Sequence, residues 1–201
     1  RVKKGVIQDA SFIEADQGKK RIQLEKRARR QGEQVEYTEK QLQHIDKDSG
    51  YSVKHGQIHY GYKSHIKVDI DHHLIRDLDV TAANLHDGDV DLVEEGDQAA
   101  YRDKGYFGKK LEAANVVDKT MKRGVRGRKL NGGEQKRNKT IGRIRAPGER
   151  PFSVIKRVFH GDRTMVKTLE RVRVKEMFKC FAYDLYQLVT LNRKQRLAVA
   201  M

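Results

Sequence analysis

Three carboxylates sit where their surroundings argue against a carboxylate. Asp9 lies inside the apolar run Val6-Ile7-Gln8-Asp9-Ala10-Ser11-Phe12-Ile13; aspartate is disfavoured within strands, so it needs a reason to be there. Asp103 closes the short run Ala99-Ala100-Tyr101-Arg102, just before Lys104-Gly105, and a strand end is where a side chain reaches into a crevice. Glu149 lies between Pro147-Gly148 and Arg150-Pro151-Phe152. Pro151 is tolerated only in the first turn of a helix, where the helix dipole favours an ionised acid. Three carboxylates from three elements can converge on two divalent cations, Mg²⁺ or Mn²⁺. Such ions, about 3.5–4 Å apart, activate an attacking oxygen and stabilise a leaving one, which is the chemistry of phosphoryl transfer. The chain carries 28 acids, and spacing alone leaves capping or surface roles open for these three.

Other candidate centres are weaker. His72-His73 falls in an expected turn and faces solvent. His55, His59 and His65 have no cysteine or acid at a zinc-like spacing. The stretch from Gly124 to Gly133 is glycine-containing but lacks the Gly-Lys-Ser/Thr ending of a phosphate loop. Cys180, the single cysteine, excludes a disulfide framework and reads as a small buried hydrophobe.

The chain has 201 residues, with 43 Lys+Arg against 28 Asp+Glu and a formal net charge of +15. That excess implies a polyanionic partner and says nothing of the fold. It is laid out in blocks. Basic residues dominate from Lys19 to Lys40 and again from Lys122 to Arg145, and acids dominate from Asp69 to Asp103. The second basic block reads as a mobile loop that orders on nucleic acid. No run of about 18 apolar residues exists to cross a membrane. No apolar segment follows the N-terminus, so no signal peptide is expected. Aromatic residues make up 7% and tryptophan is absent, so stacking on an aromatic platform is not expected to dominate binding.

The elements that must position the acids follow from periodicity. Tyr60, Tyr62, Ser64, Ile66, Val68 and Ile70 alternate with Gly61, Lys63, His65, Lys67 and Asp69, a period of two that predicts a strand. Asp71-His72-His73 turns it into a second strand, Leu74–Val80. Val6–Ile13, Ala99–Asp103 and Val116–Met121 complete the expected strands. Helices are expected over Asp87–Glu95, Lys109–Ala114, Glu149–Phe159 and Lys175–Asn192. On the last, Met177, Phe181, Leu185, Leu188 and Leu191 form a stripe suited to a core or a partner helix. The order fits one α/β domain, residues 1–201, with a mixed sheet. A charged insertion follows the first strand at about 16–58, and the basic loop lies at about 122–145.

The chain resembles the catalytic domain of prokaryotic insertion-sequence transposases of the DDE class, which have a ribonuclease-H-like fold. The resemblance is carried by VIQDASFIEAD, HYGYKSHIKVD, VTAANLHD, YRDKGYFG and RAPGERPFSVIKRVF. In related transposases a Tyr, Arg, Glu and Lys recur with two, three and six residues between them. Arg145, Glu149 and Lys156 match, and Gly142 stands at the Tyr position. The resemblance implies that Asp9, Asp103 and Glu149 bind two Mg²⁺ or Mn²⁺ ions. It implies further that Arg145 and Lys156 hold DNA phosphates, and that His86 lies beside the site, orienting a phosphate. Lys104, Arg126, Arg128, Lys129 and Arg143 are expected to add phosphate contacts. The implied partners are double-stranded DNA at element ends and target, and a second copy in the complex that joins the ends. The implied location is the cytoplasm, with the nucleoid. Family members usually carry a helical end-recognition region upstream, and here eight residues precede Asp9, so that region is expected to be missing. The activity expected is metal-dependent cleavage and strand transfer. The alternatives are a basic nucleic-acid-binding remnant without chemistry, and a nuclease of the same fold.

Overall fold

The structure, a computed structural model, describes residues 5–199. Its centre is β1 (Val6–Ala15), a strand with partners on both edges. On one edge, β3 (Gln57–Asp69) runs antiparallel to it from Val6 opposite Asp69 to Glu14 opposite Gly61. β4 (Ile75–Ala82) pairs antiparallel with the far side of β3. Asp69 makes the turn between them: one carboxylate oxygen accepts from the backbone N–H of Asp71 and His72, the other from Leu74. On the opposite edge of β1, β5 (Ala99–Arg102) lies parallel, followed by the two-residue parallel strand β6 (Val117–Asp118). The spatial order β4-β3-β1-β5-β6, three antiparallel strands and then two parallel ones, is a ribonuclease-H-like mixed sheet.

One face of the sheet is apolar. Ile66 and Val68 pack with Ile155 of α4 (Glu149–Val158) and with Cys180 and Tyr183 of α5 (Leu169–Val199). Ile13, Tyr62 and Val80 pack with Val172 of α5. The other face carries the polar members of the alternating strand, and they are buried as well: Lys63, His65 and Lys67 are 7%, 0% and 1% exposed. The acid-rich segment lies over them. Lys63 Nζ reaches Asp87 at 2.7 Å, and Lys67 Nζ reaches Glu94 at 2.9 Å and Asp97 at 3.6 Å. Asp87, Glu94 and Asp97 of the acidic block therefore neutralise lysines of the chain itself, since a buried charge is tolerated only when paired.

Several expectations are corrected. The basic block at 122–145 is not a loop throughout: its second half is α3 (Gly132–Arg145). Asn131 caps α3 reciprocally with Glu134, and Ile141 is buried. Asn138 exchanges hydrogen bonds with the backbone of Lys122 at 2.9 and 2.8 Å, clipping the helix to the extension of β6. No helix forms over Lys109–Ala114, and Asp87–Glu95 contains only a 3-10 turn at Asp87–Asp89. Within 16–58 lie α1 (Lys19–Gln31), the short α2 (Glu39–Leu42) and β2 (Gly50–Lys54), which pairs with the start of β3. Of the two roles open to the stripe on α5, the core is excluded, since Met177, Phe181, Leu185 and Leu188 are each about half exposed or more. Val172, Cys180 and Tyr183 supply its buried side. Among the described residues no helix is long and apolar enough to cross a membrane.

Candidate active site

The parallel pairing of β1 with β5 ends at Gln8 opposite Arg102. The next residue on each strand is an aspartate. Asp9, within β1, and Asp103, just past the end of β5, thus each follow the last paired residue of this ladder, where neighbouring strands are roughly 4.8 Å apart. Their proximity has an electrostatic consequence. Burial pushes the Asp9 carboxyl up to about 6, and the charge of Asp103 pushes the same way. The Arg145 guanidinium and a hydrogen bond from the Ala10 N–H, at 2.9 Å, oppose the shift. Asp103 is held by its own turn: its Oδ1 accepts from the Gly105 N–H at 2.6 Å and caps the 3-10 turn Lys104–Tyr106.

Helix α3 delivers Arg145 to this mouth. Its Nη2 donates to Asp9 Oδ2 at 2.8 Å, with the arginine side chain 12% exposed. Its Nε is buried without a partner. The chain then passes through the 3-10 turn Ala146–Gly148 into α4. Gly148 is required there, because a Cβ would stand 2.7 Å from Cγ2 of Ile7, two residues before Asp9. This contact seats the start of α4 on β1 and brings Glu149 to the same end of the sheet. Glu149 itself is exposed. Lys156 follows two turns later on the same face of α4, roughly 10 Å along the axis. Among the described residues no group of three or more His, Cys, Asp and Glu side chains is gathered closely enough to enclose a metal ion. Arg145 contacts Asp9 directly, Asp103 lies near enough to act on Asp9 by its charge, and Glu149 is exposed at the start of α4.

The remaining candidates lie around this centre. His86 caps the 3-10 turn at Asp87–Asp89 by accepting from the Gly88 N–H at 3.1 Å. It also borders an open depression with Lys104, Arg123 and Arg126. Lys104, Arg126, Lys129 and Arg143 are exposed. Arg128 is engaged by Glu134 at 2.8 Å, which also holds Lys122 at 3.0 Å. Gly142, one turn before Arg145 on α3, faces open space. Two residues escaped the sequence reading. Arg123 joins the basic rim. Tyr106 is buried with its hydroxyl, and the charges of Asp9, Asp87 and Asp103 add to burial in raising its pKa. Its place three residues after Asp103 was the available signal.

A family model described as "Transposase DDE domain" matches residues 1–185. The chain belongs to this family. The transposase for insertion sequence element IS1106 of Neisseria meningitidis serogroup B is 28% identical over 148 residues. That match covers 70% of this chain and 51% of that protein, so the transposase domain described here spans about half the length of its relative. No solved structure matches it.

Proposed function

We propose that this transposase domain cleaves DNA at the ends of an insertion element and transfers the freed 3′ end to a target. The observation that carries the reading is the pair Asp9 and Asp103, each following the last paired residue of the β1–β5 ladder, with Arg145 on Asp9. Two hard-oxygen donors side by side, one of them buried and resisting ionisation, suit a divalent cation, whose charge would offset that desolvation. Asp9 and Asp103 would hold the ion between them, and Glu149 would close the set from α4. Two ions, Mg²⁺ or Mn²⁺, would supply Lewis-acid activation of the attacking oxygen and charge stabilisation of the leaving one.

The side chains do the positioning. Arg145 balances the Asp9 charge through Nη2, while its Nη1 meets the Met121 sulfur, so it would act on a nearby phosphate through its charge. Lys156 meets the next stretch of backbone along α4. Lys104, Arg126, Lys129 and Arg143 spread phosphate contacts over the adjoining surface, making affinity steeply salt-dependent. A second copy would join the element ends.

Glu149→Gln tests the assignment, because it keeps size and removes one charge. Cleavage of end-bearing DNA with Mg²⁺ or Mn²⁺ should fall by at least about a hundredfold, the scale of losing an electrostatic group at a reacting phosphate. DNA affinity should stay within about twofold, as expected of a surface substitution outside the phosphate contacts. Undiminished cleavage by the variant would end the proposal. Joined product from a target plasmid separates a transposase from a nuclease, and binding without any cleavage would mark a non-catalytic remnant.

A further inference from the structure

We propose that the exposed apolar stripe of α5 is a docking seam for one amphipathic helix of a partner protein, a helix whose flanks are acidic. The proposal goes beyond the DNA-acting reading and does not depend on it.

Val174, Phe178, Phe181, Leu185 and Leu188 follow one another at alternating steps of four and three residues. That is the spacing by which one helix lays its side chains between those of another. They are 51%, 63%, 61%, 49% and 49% exposed, and Met177, Tyr186 and Val189 beside them are similarly open. The helix cannot roll to hide them. Its other side carries Val172, Glu176, Cys180, Tyr183 and Gln187, all buried. There the Tyr183 hydroxyl donates to the His73 carbonyl at 2.9 Å, and the Gln187 side-chain amide donates to the His72 carbonyl at 2.7 Å. Half-exposed side chains of this size leave on the order of 100 Å² each. Eight on one helix face exceed the roughly 300–600 Å² of the largest patch on an ordinary monomer. They approach the roughly 800 Å² that each partner contributes to a specific interface. Beside the stripe, a depression of about 390 Å³ between α5 and β4, walled by Ile75, Leu78, Met177 and Phe181, gives a partner's side chains a place to enter.

The surroundings select the occupant. A strand added to the neighbouring edge of β4 is disfavoured: the N–H groups of Ile75, Leu78 and Val80 already donate to the carboxylates of Asp184, Asp77 and Asp79, each at 2.8 Å. Cations stand at both ends of the stripe, Arg171 and Lys175 at one, Arg193 and Arg196 at the other. A second copy of α5, laid parallel or antiparallel, would therefore bring like charges together. The acids at the rim are Glu170 and Asp184, so the balance along the seam is positive. An apolar face edged with Glu or Asp matches both the spacing and the charge.

The test uses the protein without DNA and two labelled synthetic helices, with leucine at the seam positions and either glutamate or lysine on both flanks. Fluorescence anisotropy should show the glutamate helix bound and the lysine helix at least about tenfold weaker at low salt, a gap that closes as salt screens the exposed charges. Phe181→Ala should lose about thirtyfold of affinity for the glutamate helix, the scale of an aromatic at the centre of an interface. Its melting temperature should not change, because the ring is exposed. Lys175→Glu combined with Arg196→Glu should reverse the preference between the two helices. Equal binding of the two helices, binding of neither, or undiminished binding by Phe181→Ala overturns the proposal. Sedimentation that shows a dimer lost in Phe181→Ala assigns the seam to a second copy and overturns it. Retention on phosphatidylglycerol vesicles, lost in the same variant, assigns the seam to a bilayer and overturns it too.

Discussion

Asp9 carries the clearest consequence at the scale of a single side chain. Its pKa stands at about 6 in the folded protein against the usual 3.8. Between those values the folded state keeps a proton that the unfolded chain has released, so stability is greatest below the window and falls as pH rises through it. Above about pH 6 the full penalty applies, on the order of 2–3 kcal/mol. Asp9→Asn, which mimics the protonated acid, should raise the melting temperature at pH 8 and leave it unchanged at pH 4. Thermal unfolding of both proteins across that range checks this, and pH–stability curves that run parallel would remove burial as the cause. Asp9 and Asp103 were legible in the sequence because each sits against its local grain. The pairing of Lys63 and Lys67 with the acidic segment was not legible, because period-two alternation reports the strand and not what covers its polar face.

Among the elements, the junction of α4 with β1 is the most demanding. Gly148→Ala places a methyl within 2.7 Å of the Ile7 side chain, which should destabilise the fold by about 1–3 kcal/mol. The combination with Ile7→Ala should be less damaging than the two single changes added together, since each relieves the other's misfit. A double-mutant cycle by denaturant unfolding reads this, and strict additivity would mean that Gly148 does not seat the helix. The hairpin of β3 and β4 and the start of α4 could be seen in the sequence through alternation and the proline at Pro151. Helix α3 was hidden by Gly132-Gly133 and by its charge, although Asn131 and Glu134 have the spacing of a reciprocal cap. Asn131→Ala should cost about 1 kcal/mol and should speed amide exchange in the first turn of α3. Unchanged exchange there would show that the cap is idle.

Across the whole molecule, the basic surface and the buried acid–lysine layer divide the charge between two tasks. Lys104→Ala and Arg143→Ala remove exposed cations, so each should weaken DNA binding and make its salt dependence shallower by about 0.9. Lys63→Met should leave the slope unchanged and lower stability instead, because it strands Asp87 without its partner. Binding across a salt series, beside melting curves, distinguishes the two classes. The central position of β1 also sets the order in which the proposed site is assembled during synthesis. β1 leaves the ribosome first among these strands, yet Asp103 arrives 94 residues later and Glu149 another 46 after that. Translation at about 5–20 residues per second places several seconds between the first carboxylate and the last. Through that interval β1 can pair with β3, but it lacks the seat for Gly148 and the acid that follows it. A nascent chain stalled anywhere before α4 would hold the first two carboxylates without the third, so the proposed site cannot be completed until α4 has been made.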